Sequence, residues 1–236
     1  MMNNPPTGGF FVHQRVRIEM KAAIFINGEF EKNDRIMVQI NQSDLLVAVD
    51  GGLQHVMNSG LTPHVIIGDL DSIDLTDLKY FEHNGVDIVK FPVKKDETDL
   101  ELAVEYVLNL GFKEMLVLGA TGGRIDHFFG NFLFFSNPKY LNVKIIILTK
   151  NSEIFYCKSK QIIKGVSGDT VSLIPISEVV AGVKTTGLMY PLDAEDLVRW
   201  KSRGISNQMI DQTAKIEFET GELLCVHSFS SQLETN

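Results

Sequence analysis

The chain has 236 residues, 44% of them hydrophobic and 22% charged, and carries a net charge of −8. That length buries a substantial core, as one large domain or two small ones, and the composition is that of an ordinary globular protein. The negative balance, with no basic stripe, excludes a general nucleic-acid binder, and no apolar stretch approaches the ~20 residues that cross a bilayer as a helix.

Residues 1–19 carry Asn, Pro and Gly early and then Arg15 and Arg17, without the sustained apolar run of a secretory signal. They read as a disordered leader, with Met20 as an alternative start. Strands are then expected at residues 21–27, 45–50, 65–68, 87–91, 115–119 and 143–149. These runs are continuously apolar, as in a parallel sheet covered on both faces. Amphipathic helices fall between them. Leu100, Ala103, Val104, Val107 and Leu108 keep helical spacing after the capping-box pattern Thr98-x-x-Glu101. Phe128, Phe129, Phe132 and Leu133 repeat that period, and the aromatics from Phe128 to Phe135 are expected in the core. Residues 20–150 therefore read as an α/β unit, doubly wound on a mostly parallel sheet.

After Lys150 the texture changes to short strands split by Gly or Ser turns, at 153–157, 162–166, 170–174 and 179–185. Segments 214–219 and 222–228 flank Thr220-Gly221 and read as a hairpin. Residues 151–236 are expected to form a small C-terminal β-sandwich domain. Cys157 and Cys225 belong to no C-x-x-C pair and read as core thiols of a reducing compartment, which points to the cytoplasm.

The polar clusters share one position in this pattern. Asp50-Gly51-Gly52 follows the second strand, Asp69-Leu70-Asp71-Ser72 the third, Lys94-Lys95-Asp96-Glu97-Thr98-Asp99 the fourth, and Ala120-Thr121-Gly122-Gly123-Arg124 the fifth. Open α/β sheets bind ligands beyond the carboxyl ends of their strands. Like-charged carboxylates ~4 Å apart repel by roughly 4 kcal/mol at an effective dielectric near 20. A fold that gathers several of them calls for a cation, and hard oxygen donors suit Mg²⁺ accompanied by phosphates. Glycines at Gly122 and Gly123 let backbone N–H groups approach phosphate oxygens, and Arg124 can grip one in a fork. Each piece has a plainer reading: Asp50 as an Asx cap, Asp71 or Ser72 capping the next helix, the 96–99 acids as helix-dipole decoration, Lys94 and Lys95 as a solvated pair, His127 as a surface histidine. Convergence on one rim is the stronger signal.

Taken together, residues 48–52, 67–72, 95–99 and 122–127 resemble the thiamine pyrophosphokinases, and the likeness runs from Lys21 to about Phe229. The resemblance implies diphosphoryl transfer from ATP to thiamine, giving thiamine diphosphate and AMP, with Mg²⁺ as cofactor and a homodimer with its sites between subunits. It implies Asp69, Asp71 and Asp99 as metal ligands and Asp71, Asp99 and Arg124 as catalytic. It implies Asp50, Gly51, Gly52, Ser72, Lys95, Asp96, Thr98, Thr121, Gly122, Gly123, Arg124, Asp126 and His127 as the ATP and phosphate pocket. Residues 186–192 and 204–207 resemble the thiamine-side segments, with Tyr190 stacking on the vitamin and Ser206 and Asn207 as polar partners. Gln208 stands where an acid is expected after Ser-Asn, and Met189 where a basic residue is common. Three other readings use the same residues: a pyrophosphokinase for another hydroxyalkyl acceptor, a haloacid-dehalogenase-like phosphatase with Asp69 as nucleophile, and a non-catalytic ATP sensor.

Overall fold

Strands apolar on both faces need cover on both, and the chain supplies it with helices wound in two directions. The computed structural model describes residues 20–71, 73–92, 96–140 and 142–230. The first part runs β1 (Lys21–Phe25), α1 (Asp34–Asn41), β2 (Leu45–Val49), α2 (Gly52–Asn58), β3 (Val65–Gly68), α3 (Leu75–His83), β4 (Asp87–Lys90), α4 (Asp99–Asn109), β5 (Glu114–Leu118), α5 (Ile125–Phe135) and β6 (Lys144–Leu148). Its six strands are parallel, in the order β6-β5-β1-β2-β3-β4. The order reverses at β1, so α1 to α3 cover one face and α4 and α5 the other. Along β1, Ala22 and Ile24 join the α4/α5 layer, while Ala23 and Phe25 join the α1/α2/α3 layer. The same division holds along β2 and β5, which is why their sequences do not alternate.

The second part runs β7 (Ser152–Tyr156), β8 (Lys160–Lys164), β9 (Thr170–Pro175), β10 (Val179–Thr186), β11 (Glu195–Val198), β12 (Asn207–Gln208), β13 (Thr213–Glu217) and β14 (Leu223–Ser228). Four of these extend the first sheet antiparallel to a ten-stranded one, β12-β9-β14-β7 continuing from β6. The others form a separate sheet, β11-β10-β13-β8. The two sheets face each other across a third core that includes Ile163, Leu173, Val183, Leu197, Ile216 and Cys225. The sandwich is therefore half built from the sheet that also carries the nucleotide-type fold.

Three expectations need correction. Residues 214–228 are not a hairpin: β13 pairs with β10 and β8, whereas β14 pairs with β7 and β9. The chain crosses between sheets at Thr220-Gly221, where Gly221 takes a φ of 104°. Both strands bury alternate residues in one core from opposite sides, and alternation alone does not tell facing strands from paired ones. Strands β11 and β12 were not expected; each has one deeply buried side chain, Leu197 and Asn207, too few to mark a pattern. Finally, α5 buries Phe132 and Phe135 but leaves Phe129 and Leu133 about 60% exposed.

Gly52 illustrates how the sheet fixes the rim. A Cβ there would lie 2.1 Å from the Phe25 carbonyl oxygen, so its role is close approach of α2 to β1. Gly52→Ala is expected to cost about 1–3 kcal/mol through backbone displacement, measured as a lower urea midpoint. An unchanged midpoint would contradict the close approach.

Candidate active site

Four strand ends and the start of α4 meet at the carboxyl rim. Asp50 follows β2 with φ 44°, and Leu70 follows β3 with φ 66°. Left-handed backbone at a bulky leucine is strained, and such strain concentrates at functional sites. Leu70 is buried while its neighbours Asp69 and Asp71 are not, so one apolar anchor turns two carboxylates outward. The Asp71 amide donates to Asp69 Oδ1 at 3.1 Å, and the Leu70 amide donates to Asp50 Oδ1 at 3.3 Å. Gly68, the last residue of β3, admits the Asp50 carboxylate where a Cβ would stand, with Oδ1 1.7 Å from that point.

Two of the plainer readings, a cap by Asp71 and an Asx cap by Asp50, fail on geometry, whereas Asp99 does sit in the first turn of α4. Asp74, not Asp71, caps α3, accepting from the Thr76 amide at 2.6 Å. The α2 N-terminus has no side-chain cap, so Asp50 is no Asx cap. Thr98 caps α4 in a capping box with Glu101, as the sequence pattern predicts, which commits its hydroxyl to the helix. Asp99 opens α4 beside Asp50 and Asp71. Its position in the first turn is favourable to a negative charge.

The acids feel one another. Burial, the charge of Asp99, a hydrogen bond shared with the Asp99 carboxyl and the charge of Asp69 push the Asp50 pKa up to about 7, against a downward pull from the Leu70 amide. Asp71 is raised too, by its hydrogen bond to Asp69 and by the charges of Asp69 and Asp99. Asp50, Asp69, Asp71 and Asp99 thus share one corner. Among the described residues no three His, Cys, Asp or Glu side chains form a closed ligand set. Mg²⁺ needs none: it is typically held by one or two carboxylates, with waters and phosphate oxygens completing the octahedron. The donor set fits that ion.

Across the rim, the turn after β5 carries Gly119, Gly122 and Gly123, all at φ between 64° and 77°. The segment after β1, unremarked in the sequence, closes against it: the amides of Gly28 and Glu29 donate to the carbonyls of Gly119 and Thr121 at 2.8 and 2.7 Å. Glu29 packs under Gly122, and Asn27 lies against Gly51. A Gly-Glu pair just past a strand was the available signal. Arg124 starts α5, with its guanidinium donating twice to Asp126; both side chains are exposed. That pairing holds Asp126 down to about 2 and raises Arg124. His127, Asp96, Gly122 and Gly123 are exposed and Thr121 and Gly51 half-buried. Lys94, Lys95 and Ser72 lie outside the described residues.

The segments at 186–192 and 204–207 meet at one end of the sandwich. Ser206 takes a φ of 56°, and its amide donates to Ser172 Oγ at 2.9 Å. Asn207, 7% exposed, accepts from the Tyr190 amide at 3.0 Å and donates to the Tyr190 carbonyl at 2.7 Å. Tyr190 itself is 60% exposed. Asn207 thus fixes the backbone that carries the exposed Tyr190.

A nucleotide-type α/β sheet with an acidic rim joined to a β-sandwich defines a class of phosphate-transferring protein, and comparison with known proteins resolves which. Residues 37–147 match the family model for the thiamin pyrophosphokinase catalytic domain, and residues 159–223 match that for its vitamin B1 binding domain. A thiamine pyrophosphokinase of Bacillus subtilis is 30% identical over 190 residues, 80% of this chain and 89% of the relative. One from rice is 32% identical over 165 residues, 65% of this chain and 62% of the relative. Crystal structures of the Bacillus subtilis and Geobacillus thermodenitrificans proteins each superpose with a TM-score of 0.78 at 27% identity, covering 89% and 90% of this chain and 99% of theirs. The chain belongs to the thiamine pyrophosphokinase family.

The raised Asp50 makes a stability prediction. Its carboxyl is more easily neutral in the folded chain than in the unfolded one, whose value is near the ordinary ~3.9. Below that value both states are protonated and nothing is lost; as pH rises toward and through 7, ionisation takes stability away. Asp50→Asn, free of that charge, is expected to raise the urea midpoint of metal-free protein at pH 8, on the order of 1 kcal/mol after allowing for solvent screening. The gain should vanish by pH 4; a variant less stable than wild type at pH 8 would contradict the crowding.

Proposed function

We propose that the chain catalyses ATP-dependent synthesis of thiamine diphosphate, with AMP as the second product, and that Mg²⁺ serves the transfer. The juxtaposition of Asp50, Asp69, Asp71 and Asp99 at the carboxyl rim, within a chain of this family, carries the reading. Residues 20–150 handle nucleotide and metal; residues 151–236 supply the thiamine side.

Asp69, Asp71 and Asp99 would hold the ion, directly or through its waters, and when bound it would neutralise charge on the transferring group. Asp50 keeps the β3 turn in place through the Leu70 amide and adds to the local negative field. Backbone N–H groups at Gly122 and Gly123 and at the turn of half-buried Gly51 and buried Gly52 receive phosphate oxygens, with Thr121, Asp96 and Thr98 along the same wall; Lys95 and Ser72, outside the described residues, are proposed as further phosphate contacts. Arg124 would turn from Asp126 toward a phosphate, with Asp126 and His127 beside it on the first turn of α5. The thiamine hydroxyl attacks the β-phosphorus in line, with Asp71 or Asp99 accepting its proton; positioning and electrostatics supply most of the acceleration. Tyr190 packs on the vitamin, and Ser206 and Asn207 make the polar contacts.

A homodimer belongs to the same reading. Ile125, Phe129 and Leu133 stand one turn apart on α5 and are 72%, 59% and 61% exposed. An apolar stripe of that kind beside a site favours burial against a second copy. No helix among the described residues is long and apolar enough to cross a membrane. The cytoplasm is the proposed setting.

Asp71→Asn should lower kcat by at least about a thousandfold while circular dichroism and the urea midpoint hold. Near-wild-type turnover would remove Asp71 from the mechanism. Incubation with ATP, Mg²⁺ and thiamine should yield AMP and thiamine diphosphate; ADP as the nucleotide product would contradict diphosphoryl transfer.

A further inference from the structure

Beside the thiamine-side segments lies a buried Asp–His pair that the transfer chemistry does not use. His227 Nε2 donates to Asp169 Oδ2 at 2.9 Å, and both side chains are 1% exposed. The Val166 amide donates to the same oxygen at 3.0 Å and the Ser230 amide to Oδ1 at 2.8 Å. Burial pushes the Asp169 carboxyl up, but these donors outweigh it and keep it below its usual range. Taking a carboxylate and an imidazole out of water is costly, and apolar residues of equal volume often stabilise as well or better. His227 Nδ1 adds to that cost, being buried with no hydrogen-bond partner among the described residues. Stability is therefore a poor reason for the pair, and fixing one geometry is a better one.

That geometry is the seat of β12. The Met209 amide donates to the Asp169 carbonyl at 2.8 Å, and the Gly168 amide donates back to the Met209 carbonyl at 2.9 Å. β12 is two residues long, and among the described residues it borders only β9 within its sheet, pairing Asn207 with Val171 and Gln208 with Thr170. On β14, His227 lies opposite the same Val171. Asn207 in turn holds the Tyr190 backbone. The pair is braced from behind: Phe229 meets the His227 ring edge-on at 5.0 Å, and the Arg35 guanidinium of α1 covers the Phe229 ring at 3.7 Å. Gly165 completes the seat, since a Cβ there would lie 2.5 Å from Asp169 Oδ2, 2.8 Å from Met209 Sδ and 2.9 Å from His227 Nε2.

We propose that Asp169 and His227 are positioning residues for the acceptor, setting β12 so that Asn207 presents the Tyr190 face to thiamine. The proposal rests on the reading of Tyr190, Ser206 and Asn207 as the thiamine side. It separates acceptor binding from phosphate handling, because neither residue reaches the carboxylate rim through any contact described above.

Steady-state kinetics on the full chain with ATP and thiamine varied independently tests it. His227→Ala should raise the thiamine KM about tenfold or more, with kcat and the ATP KM within about twofold of wild type. His227→Gln, which keeps an N–H toward Asp169, should recover most of that loss, and Gly165→Ala should follow His227→Ala. Should His227→Ala not fold, the other two variants decide. Both KM values and kcat moving together, or a thiamine KM unmoved in Gly165→Ala and His227→Ala, would overturn the proposal. Asn207→Ala separates the two levels: if it leaves the thiamine KM unchanged, the thiamine-side reading fails; if it raises that KM while the His227 and Gly165 variants do not, only the positioning role fails.

Discussion

Repulsion among carboxylates at one end of a parallel sheet is the constraint from which the rest of this molecule follows. The strands deliver Asp50, Asp69 and Asp71 to the rim because their apolar runs stop there, and α4 brings Asp99 in on its first turn. Left alone, the cluster holds its charge poorly: Asp50 is pushed up to about 7 and Asp71 above its ordinary value. Left-handed backbone at Asp50 and Leu70 adds strain to the same few residues. Packing beneath sustains this cost, with both faces of β1, β2 and β5 fully covered. On the proposed reading, a divalent ion and phosphates would convert that repulsion into binding energy.

The division of labour across the sheet has a physical logic. The parallel half offers loops whose backbone N–H groups and acids suit phosphate and metal. The antiparallel half ends in a short edge strand, β12, beside the exposed Tyr190, where the proposed reading seats the flat organic ring. One ten-stranded sheet joins them, so the two are parts of one rigid layer rather than beads on a linker. Contacts such as Arg35 over Phe229, and Asn33 Nδ2 donating to the Lys150 carbonyl at 3.0 Å, tie α1 to the turns of the second half.

How much of this was legible depended on the range of the signal. The parallel strands, the capping box at Thr98 and the placing of acids and glycines at strand ends are local patterns, and they were readable from sequence to within a residue or two. Partnering between strands was not. Alternation in 214–217 and 223–228 records which residues are buried and is silent on which sheet they join, so a sheet crossing looked like a hairpin. The exposed face of α5 was hidden for a related reason, since a helix apolar nearly all round reads as core. Asn27 and Gly28 escaped notice because their role is to touch Gly51, Gly119 and Thr121, neighbours distant in sequence. The Asp169–His227 pair joins residues from two strands, and neither shows any motif.

The central claim is that the acidic corner exchanges protons for a divalent ion. Calorimetric titration of Mg²⁺ into the protein with a non-hydrolysable ATP analogue, run in buffers of different ionisation enthalpy, measures that exchange directly. The account predicts proton release at pH 7 that fades by pH 8.5, where Asp50 is already ionised in the free protein. Mg²⁺ binding without proton release at pH 7, or no Mg²⁺ binding at all, would contradict it.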